Sequence, residues 1–255
     1  MIQLKSISMF CLASVLFWGS ACQRASYTLI SVQGGRSEIT SVYDKNQDTE
    51  SVSVLAPYKA KVDSVMSPVV GESAMNMVAG RPESLLSNLI ADVLREASEK
   101  YPGKEAEIGL VNVGGLRASL AEGDITYGDI YQILPFENTL CIVSLTGGQL
   151  RRLFENIAAV GGEGISGAYM VISKDKKLLD VKVNGMPVDA NRVYRVSTID
   201  YLAEGNDGMD VLKDFVEKFQ PEGATLRNLF LDYVVNLHKM GKKVTSCMDG
   251  RITVK

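Results

Sequence analysis

The sequence predicts an α+β fold, a single mixed-sheet domain with packed helices. Three observations carry that prediction. Leu85, Leu86, Leu89, Ile90, Val93, Leu94 and Ala97 recur at helical spacing within residues 83–99. Residues 168–199 hold three strand-like runs separated by Lys-Asp-Lys-Lys and Asn-Gly-Met-Pro turns. Past residue 57 there is no linker long enough to split the chain, and no internal repeat is evident. A length of 255 residues suits one large domain or two small ones. The net charge of −3 gives no reason to expect a nucleic-acid backbone as partner. Histidine is the most restrictive count, because the chain has only His238. Hydrolytic dimetal sites draw several ligands from histidines and carboxylates together, so a self-contained site of that kind is not expected here.

Residues 1–21 contain no acid and one base, Lys5. The apolar run from Ile7 to Trp18 is too short for a bilayer span and fits the core of a signal peptide. It leads into Gly19-Ser20-Ala21-Cys22, which resembles a bacterial lipobox. That resemblance implies lipidation at Cys22, export, and anchoring to the bacterial cell envelope, facing the periplasm. Residues 22–56 are rich in Ser, Thr and Gln and read as a tether followed by one or two short strands. The domain is expected to occupy 57–255.

Within the domain, Pro82 starts the helix of 83–99. Residues 106–113 read as a buried strand ending at Gly114-Gly115. Cys141 lies in the apolar run Leu140-Cys141-Ile142-Val143 and reads as a buried free thiol; whether it pairs with Cys247 stays open. Thr146 and Gln149 form a capping-box pattern ahead of Leu150, Leu153, Phe154 and Ile157. A last amphipathic helix carries Leu226, Leu229, Phe230, Tyr233, Val234 and Leu237, with His238 on its solvated flank.

Four places draw attention as chemistry. Gly162 to Gly167 matches GxGxxG, but it follows a helix and leads into a strand. A dinucleotide loop does the reverse, so this segment reads as a helix-to-strand connection. Asp207 and Asp210 lie in a polar turn read as opening a helix at 209–219; they lack the spacing of a calcium loop. A carboxylate there can accept from a pair of ligand hydroxyls. Asn112-Val113-Gly114-Gly115-Leu116-Arg117 runs from a strand through two glycines to an arginine. Glycines allow close backbone approach, and a guanidinium meets anions with a planar fork. Phe136, in Pro135-Phe136-Glu137-Asn138, offers either a core plug or a stacking face for a base.

Taken in order, these segments resemble the C-terminal domain of the 5'-nucleotidase family. Arg81-Pro82-Glu83 through Asn88-Leu89-Ile90-Ala91-Asp92 resembles R-x-x-E-x-x-x-x-N-L-I-A-D. Asn112 to Arg117 resembles N-G-G-G-I-R, with Val113 for a glycine. Pro135 to Asn138 resembles P-F-G-N, with Glu137 for glycine. Tyr201 to Gly208 resembles F-x-x-x-G-G-D-G, with Tyr201 for Phe and Asn206 for the second glycine. The resemblance covers about residues 60–220. It implies a nucleotide-binding domain that sets specificity. Phe136 and Tyr201 would sandwich the base. Asn112 would bond the base edge beside Gly115, with Asn138 assisting. Asp207 would hold the ribose hydroxyls, and Arg81 and Arg117 would meet the phosphate.

Full-length members of that family also carry a metallophosphoesterase domain that binds two metals and hydrolyses the ester. Its histidine-bearing D-x-H and G-N-H-[DE] motifs are absent from this sequence. The expectation is therefore a substrate-binding half with no cofactor of its own, a nucleotide or nucleoside as ligand, and a divalent metal pair on a separate exported metallophosphoesterase partner. A non-catalytic lipoprotein that captures or senses nucleosides is the competing reading, and a structural lipoprotein with a decayed site is the third.

Overall fold

The structure is a computed structural model, and it describes residues 27–255. The expected signal peptide and Cys22 lie outside those residues. Residues 27–40 carry no regular structure, and a 3-10 turn follows at Ser41–Asn46. Helix α1 (Thr49–Met66) then stands where short strands were expected. The alternation Ser51-Val52-Ser53-Val54 mimics a strand period. Local helix signals override it: Asp48 Oδ1 accepts from the Ser51 amide at 2.7 Å, and Lys59 pairs with Asp63 one turn on.

Residues Ser53–Lys255 form one compact unit. After α1 come β1 (Val69–Ser73), α2 (Leu85–Ala97), β2 (Ile108–Val111), β3 (Gly123–Thr126), α3 (Tyr127–Ile133) and β4 (Leu140–Thr146). Next are α4 (Gly147–Val160), β5 (Gly164–Ser166), β6 (Ala168–Ile172), β7 (Leu178–Val183), β8 (Met186–Pro187) and β9 (Val193–Ile199). The chain ends with α5 (Asp200–Ala203), β10 (Glu217–Phe219), α6 (Leu226–Lys239) and β11 (Ile252–Val254). The expected mixed sheet is the five-stranded one, ordered β10-β4-β9-β2-β5. Two smaller sheets, β1-β3 and β11-β6-β7-β8, accompany it.

Helix α2 forms where the apolar periodicity placed it. Ser84 caps it by accepting from the Ser87 amide, and its inward face buries Leu86, Leu89, Ile90, Val93 and Leu94. It lies tight on β2 because Gly109 has no side chain; a Cβ there would collide with the Ala91 carbonyl. Helix α4 opens with the full capping box of Thr146 and Gln149 and buries Leu150, Leu153, Phe154 and Ile157. The helix expected at 209–219 is replaced by a 3-10 turn, Asp210–Asp214, and strand β10. The open edge of β4 explains the switch: Glu217, Lys218 and Phe219 pair with Ser144, Val143 and Ile142. Phe219 then meets Tyr101 edge-on at 5.3 Å.

The motif around Arg81-Pro82-Glu83 turns out to be partly architectural. Glu83 Oε1 accepts from Asn88 Nδ2 at 2.8 Å and from the Asp249 amide at 3.2 Å. Asn88 Nδ2 also donates to the Cys247 carbonyl at 2.9 Å, so Glu83 and Asn88 clamp the C-terminal segment onto α2. Arg251 completes the clamp with a bidentate bridge to Asp92 at 2.8 and 2.9 Å. Cys141 is buried, Cys247 is exposed, and both are free thiols.

Candidate functional site

Sheet topology brings the site together. β2 and β9 are parallel neighbours, with Ile108 opposite Val196. Their C-terminal ends therefore emerge at the same end of the sheet. β4 is antiparallel to β9 with Leu140 opposite Ile199, so the loop entering β4 arrives at that end too. β5 is antiparallel to β2 with Val111 opposite Gly164, which delivers Glu163 there as well. Four adjacent strands thus present residues 112–117, 135–139, 162–163 and 200–208 side by side. A crevice at the carboxyl ends of parallel strands is a common place for a ligand.

That crevice is a cavity of about 340 Å³ lined by Asn112, Gly114, Gly115, Arg117, Phe136, Asn138, Tyr201 and Asp207. Seven of the eight binding residues expected from sequence are in this lining: Asn112, Gly115, Arg117, Phe136, Asn138, Tyr201 and Asp207. Phe136 and Tyr201 are 47% and 39% exposed, which leaves ring surface available for stacking. Asp200 fixes the spacing of their supports. It accepts from the Thr139 amide and hydroxyl, at 3.2 and 2.7 Å, and from the Tyr201 amide at 2.8 Å.

Asp207 is the polar centre. Its backbone is left-handed (φ 54°, ψ 29°), with Gly205 and Gly208 also at positive φ on either side. Asn112 Nδ2 donates to Asp207 Oδ2 at 2.7 Å, and the Tyr201 hydroxyl donates to Oδ1 at 3.0 Å. Its hydrogen bond to the Asp207 carboxylate, and then the charge of that carboxylate, hold the Tyr201 phenol above its usual range. An ionised carboxylate has about four acceptor positions, so two remain for a ligand. Asn112 is buried, and its Oδ1 finds no partner among the described residues. A Cβ on Gly115 would lie 2.8 Å from that oxygen, so glycine is required for the amide to sit where it does.

Arg81 is the exception among the expected residues. It pairs with the fully buried side chain of Glu163, and its Nε donates to the Gly162 carbonyl at 2.8 Å. The second oxygen of Glu163 accepts from the Val113 amide. Burial pushes the Glu163 carboxyl up, opposed by the Val113 and Arg81 bonds. Glu163 is not legible as a site residue in the sequence, because it sits in a segment that reads only as a connection. The available signal was an acid inside an otherwise small and apolar stretch, since a buried carboxylate needs a partner. Glu137, where the family motif has glycine, pairs with buried Arg227, whose guanidinium lies 4.4 Å over the Tyr131 ring. Its charge is thereby matched at the cleft rim.

No group of three or more His, Cys, Asp or Glu side chains able to hold a metal is present among the described residues. His238 is exposed in the last turn of α6, as its place on the helix flank implied.

The sequence profile of the 5'-nucleotidase, C-terminal domain family matches residues 67–214. The chain belongs to that family. Among curated relatives, the trifunctional nucleotide phosphoesterase YfkN of Bacillus subtilis is 30% identical over 229 residues, covering 81% of this chain and 15% of its own. Protein UshA of Yersinia enterocolitica is 28% identical over 209 residues, covering 70% of this chain and 36% of its own. Among solved structures, a 5'-nucleotidase precursor from Thermus thermophilus superimposes with a TM-score of 0.72 at 30% identity, covering 82% of this chain and 43% of that one. The chain therefore spans less than half the length of each of these relatives. As a 5'-nucleotidase C-terminal domain, it places the four sequence motifs on two jobs. The 112–117, 135–138 and 201–208 motifs build the cleft, and the 81–92 motif clamps α2 to the C-terminal segment and to Glu163.

Proposed function

We propose that this chain is the nucleotide-binding, specificity-setting part of a 5'-nucleotidase-type system. In this reading it holds a nucleotide while a separate exported metallophosphoesterase hydrolyses the ester. The convergence of Asn112, Arg117, Phe136, Tyr201 and Asp207 on one cavity carries the reading. The base stacks between Phe136 and Tyr201, an arrangement worth roughly 1–3 kcal/mol per ring. The ribose hydroxyls donate to the two acceptor positions left on Asp207. Asn112 and Tyr201 fix that carboxylate from opposite oxygens, so little ordering remains to be done when the sugar arrives. Arg117 is exposed at the rim, with Nη1 on the Gly114 carbonyl at 3.1 Å, and faces the phosphate end. Asn138 supports the base edge.

The contribution of this chain to hydrolysis is positioning, and the metal pair that activates water belongs to the partner. Lipidation at Cys22 would hold the domain at the cell envelope.

Calorimetry with adenosine and AMP, combined with a phosphate-release assay in Mn²⁺, tests the reading. One-to-one binding without turnover is expected, and turnover is expected to appear on adding the metallophosphoesterase. Clear turnover by the purified chain would overturn the division of labour. Binding with no such partner in its native envelope would favour a capture or sensing lipoprotein instead.

A further inference from the structure

We propose that a second pocket, at the far end of β5 from the cleft, binds a small zwitterion: a molecule that carries both a carboxylate and an ammonium, as a free α-amino acid does. The inference goes beyond the nucleotide-binding reading and does not depend on it.

The pocket is a cavity of about 250 Å³ and shares no lining residue with the cleft. It lies where Ser166 pairs with Gly109, whereas Gly164 and Val111 pair at the cleft end of the same two strands. Arg95 of α2, Ser166 of β5, Asn184 at the tip of the β7–β8 hairpin and Asp249 of the C-terminal segment line it. The Asn184 backbone N–H donates to the Gly167 carbonyl at 3.0 Å, which holds the hairpin tip at the pocket. Arg95 is the group that makes this a site. Its stem lies over two glycines: a Cβ on Gly109 would come within 3.1 Å of Arg95 Cβ, and one on Gly167 within 3.3 Å of Arg95 Cδ. Its Nε donates to Ser166 Oγ at 2.8 Å. Stem and Nε are thus both fixed, yet Nη1 and Nη2 have no partner among the described residues. An arginine held this way is a ready fork for a carboxylate, because little side-chain entropy is left to lose.

The other charges on the wall leave one match for that fork. Arg251 spends all three nitrogens inside the protein, Nη1 and Nη2 on Asp92 at 2.8 and 2.9 Å and Nε on Asp249 Oδ1 at 2.9 Å. Asp92 also accepts from the Ser166 hydroxyl at 2.6 Å. Asp92 and Arg251 therefore cancel, and the second oxygen of Asp249 has no partner among the described residues. One unspent cation, Arg95, and one unspent anion, Asp249, remain on a cavity small enough for a single molecule to touch both. A simple anion would satisfy the first and be repelled by the second, whereas a zwitterion satisfies both. Tyr169, on the same wall and 45% exposed, offers ring surface to an apolar or aromatic side chain.

Calorimetric titration of L-phenylalanine, N-acetyl-L-phenylalanine and L-phenylalaninamide into wild type, Arg95→Gln and Asp249→Asn tests this, with thermal melting to show that each variant is folded. Wild type should bind L-phenylalanine one-to-one. The N-acetyl and amide forms each lack one charge and should bind at least about tenfold more weakly. Arg95→Gln and Asp249→Asn should each lower L-phenylalanine affinity by at least about tenfold. If Arg95→Gln does not fold, Asp249→Asn and the two blocked ligands decide. No binding of L-phenylalanine by wild type, equal binding of either blocked form, or unchanged affinity in folded Arg95→Gln would overturn the proposal. These titrations decide it whether or not adenosine binds in the cleft, so its failure and the failure of the nucleotide-binding reading are told apart.

Discussion

Asn112 and Asp207 lie 95 residues apart in sequence, yet the Asn112 amide donates to the Asp207 carboxylate at 2.7 Å. One residue follows β2 and the other follows the helical turn after β9. The parallel pairing of those strands is what makes the bond possible. It joins two motifs that sequence alone shows only as separate, and it fixes the carboxylate proposed to hold ribose. Asn112→Asp places a second carboxylate against the first, and like charges at that distance cannot both ionise. The expected outcome is loss of adenosine binding near neutral pH and a loss of roughly 1–3 kcal/mol in stability, measured by calorimetry and urea unfolding.

The two aromatics can be tested separately from the carboxylate. Phe136→Ala and Tyr201→Ala should each weaken adenosine binding by roughly 1–3 kcal/mol. Tyr201→Phe keeps the stacking face but removes the hydroxyl that donates to Asp207, so it should cost less than Tyr201→Ala. Unchanged affinity in both alanine variants would remove the sandwich from the account.

Gly114 and Gly115 make a control pair within one loop. A Cβ at Gly114 meets nothing closer than 4.0 Å, whereas at Gly115 it meets Asn112 Oδ1 at 2.8 Å. Gly115→Ala should displace the Asn112 amide and lower adenosine affinity about tenfold, a penalty of roughly 1.4 kcal/mol. Gly114→Ala should bind close to wild type. Equal effects of the two substitutions in the same titration would contradict the close approach at Gly115.

The thiols should differ sharply in reactivity. Burial pushes the Cys141 thiol up to about 11, and Cys247 is exposed. Alkylation of the native protein at pH 8, mapped by mass spectrometry, should modify Cys247 and spare Cys141 until the protein unfolds. The same shift has a stability consequence. The folded state holds the Cys141 proton more tightly than the unfolded chain, so this contribution is fully present below about pH 9. It is lost as pH rises from about 9 to 11. Cys141→Ala should flatten the stability profile across that window.

Arg251 offers a test of the C-terminal clamp. It is 8% exposed and bridges Asp92 and Asp249. Arg251→Ala leaves Asp92 with the Ser166 hydroxyl alone, at 2.6 Å, and should destabilise the domain by roughly 1.5–3 kcal/mol in urea unfolding, with adenosine affinity unaffected once the variant is folded. A loss of affinity without a loss of stability would tie this clamp to the cleft and not to the fold.

The sequence made legible those elements whose pattern is local and strong. The apolar face of α2, the Thr146–Gln149 box and the buried run of β4 each rest on spacing that one structure type explains. Short elements that depend on a distant partner were not legible. β10 forms because β4 offers an edge, and α1 forms against a misleading Ser-Val alternation. The cleft lining was readable because Asn112, Phe136, Tyr201 and Asp207 sit in motifs. Glu163 was not, because its meaning comes from Arg81 and the Val113 amide, which only sheet topology brings to it. For the same reason Arg81 was expected at the phosphate and is found paired with Glu163.

The central claim is that the residues around Asp207 bind a nucleoside. Calorimetric titration of adenosine into wild type and Asp207→Ala tests it most directly. The account predicts saturable one-to-one binding by wild type, and a loss of at least about tenfold in Asp207→Ala, because the carboxylate that accepts from the ribose hydroxyls is then gone. Equal binding by a folded Asp207→Ala, or no binding by wild type, would contradict it.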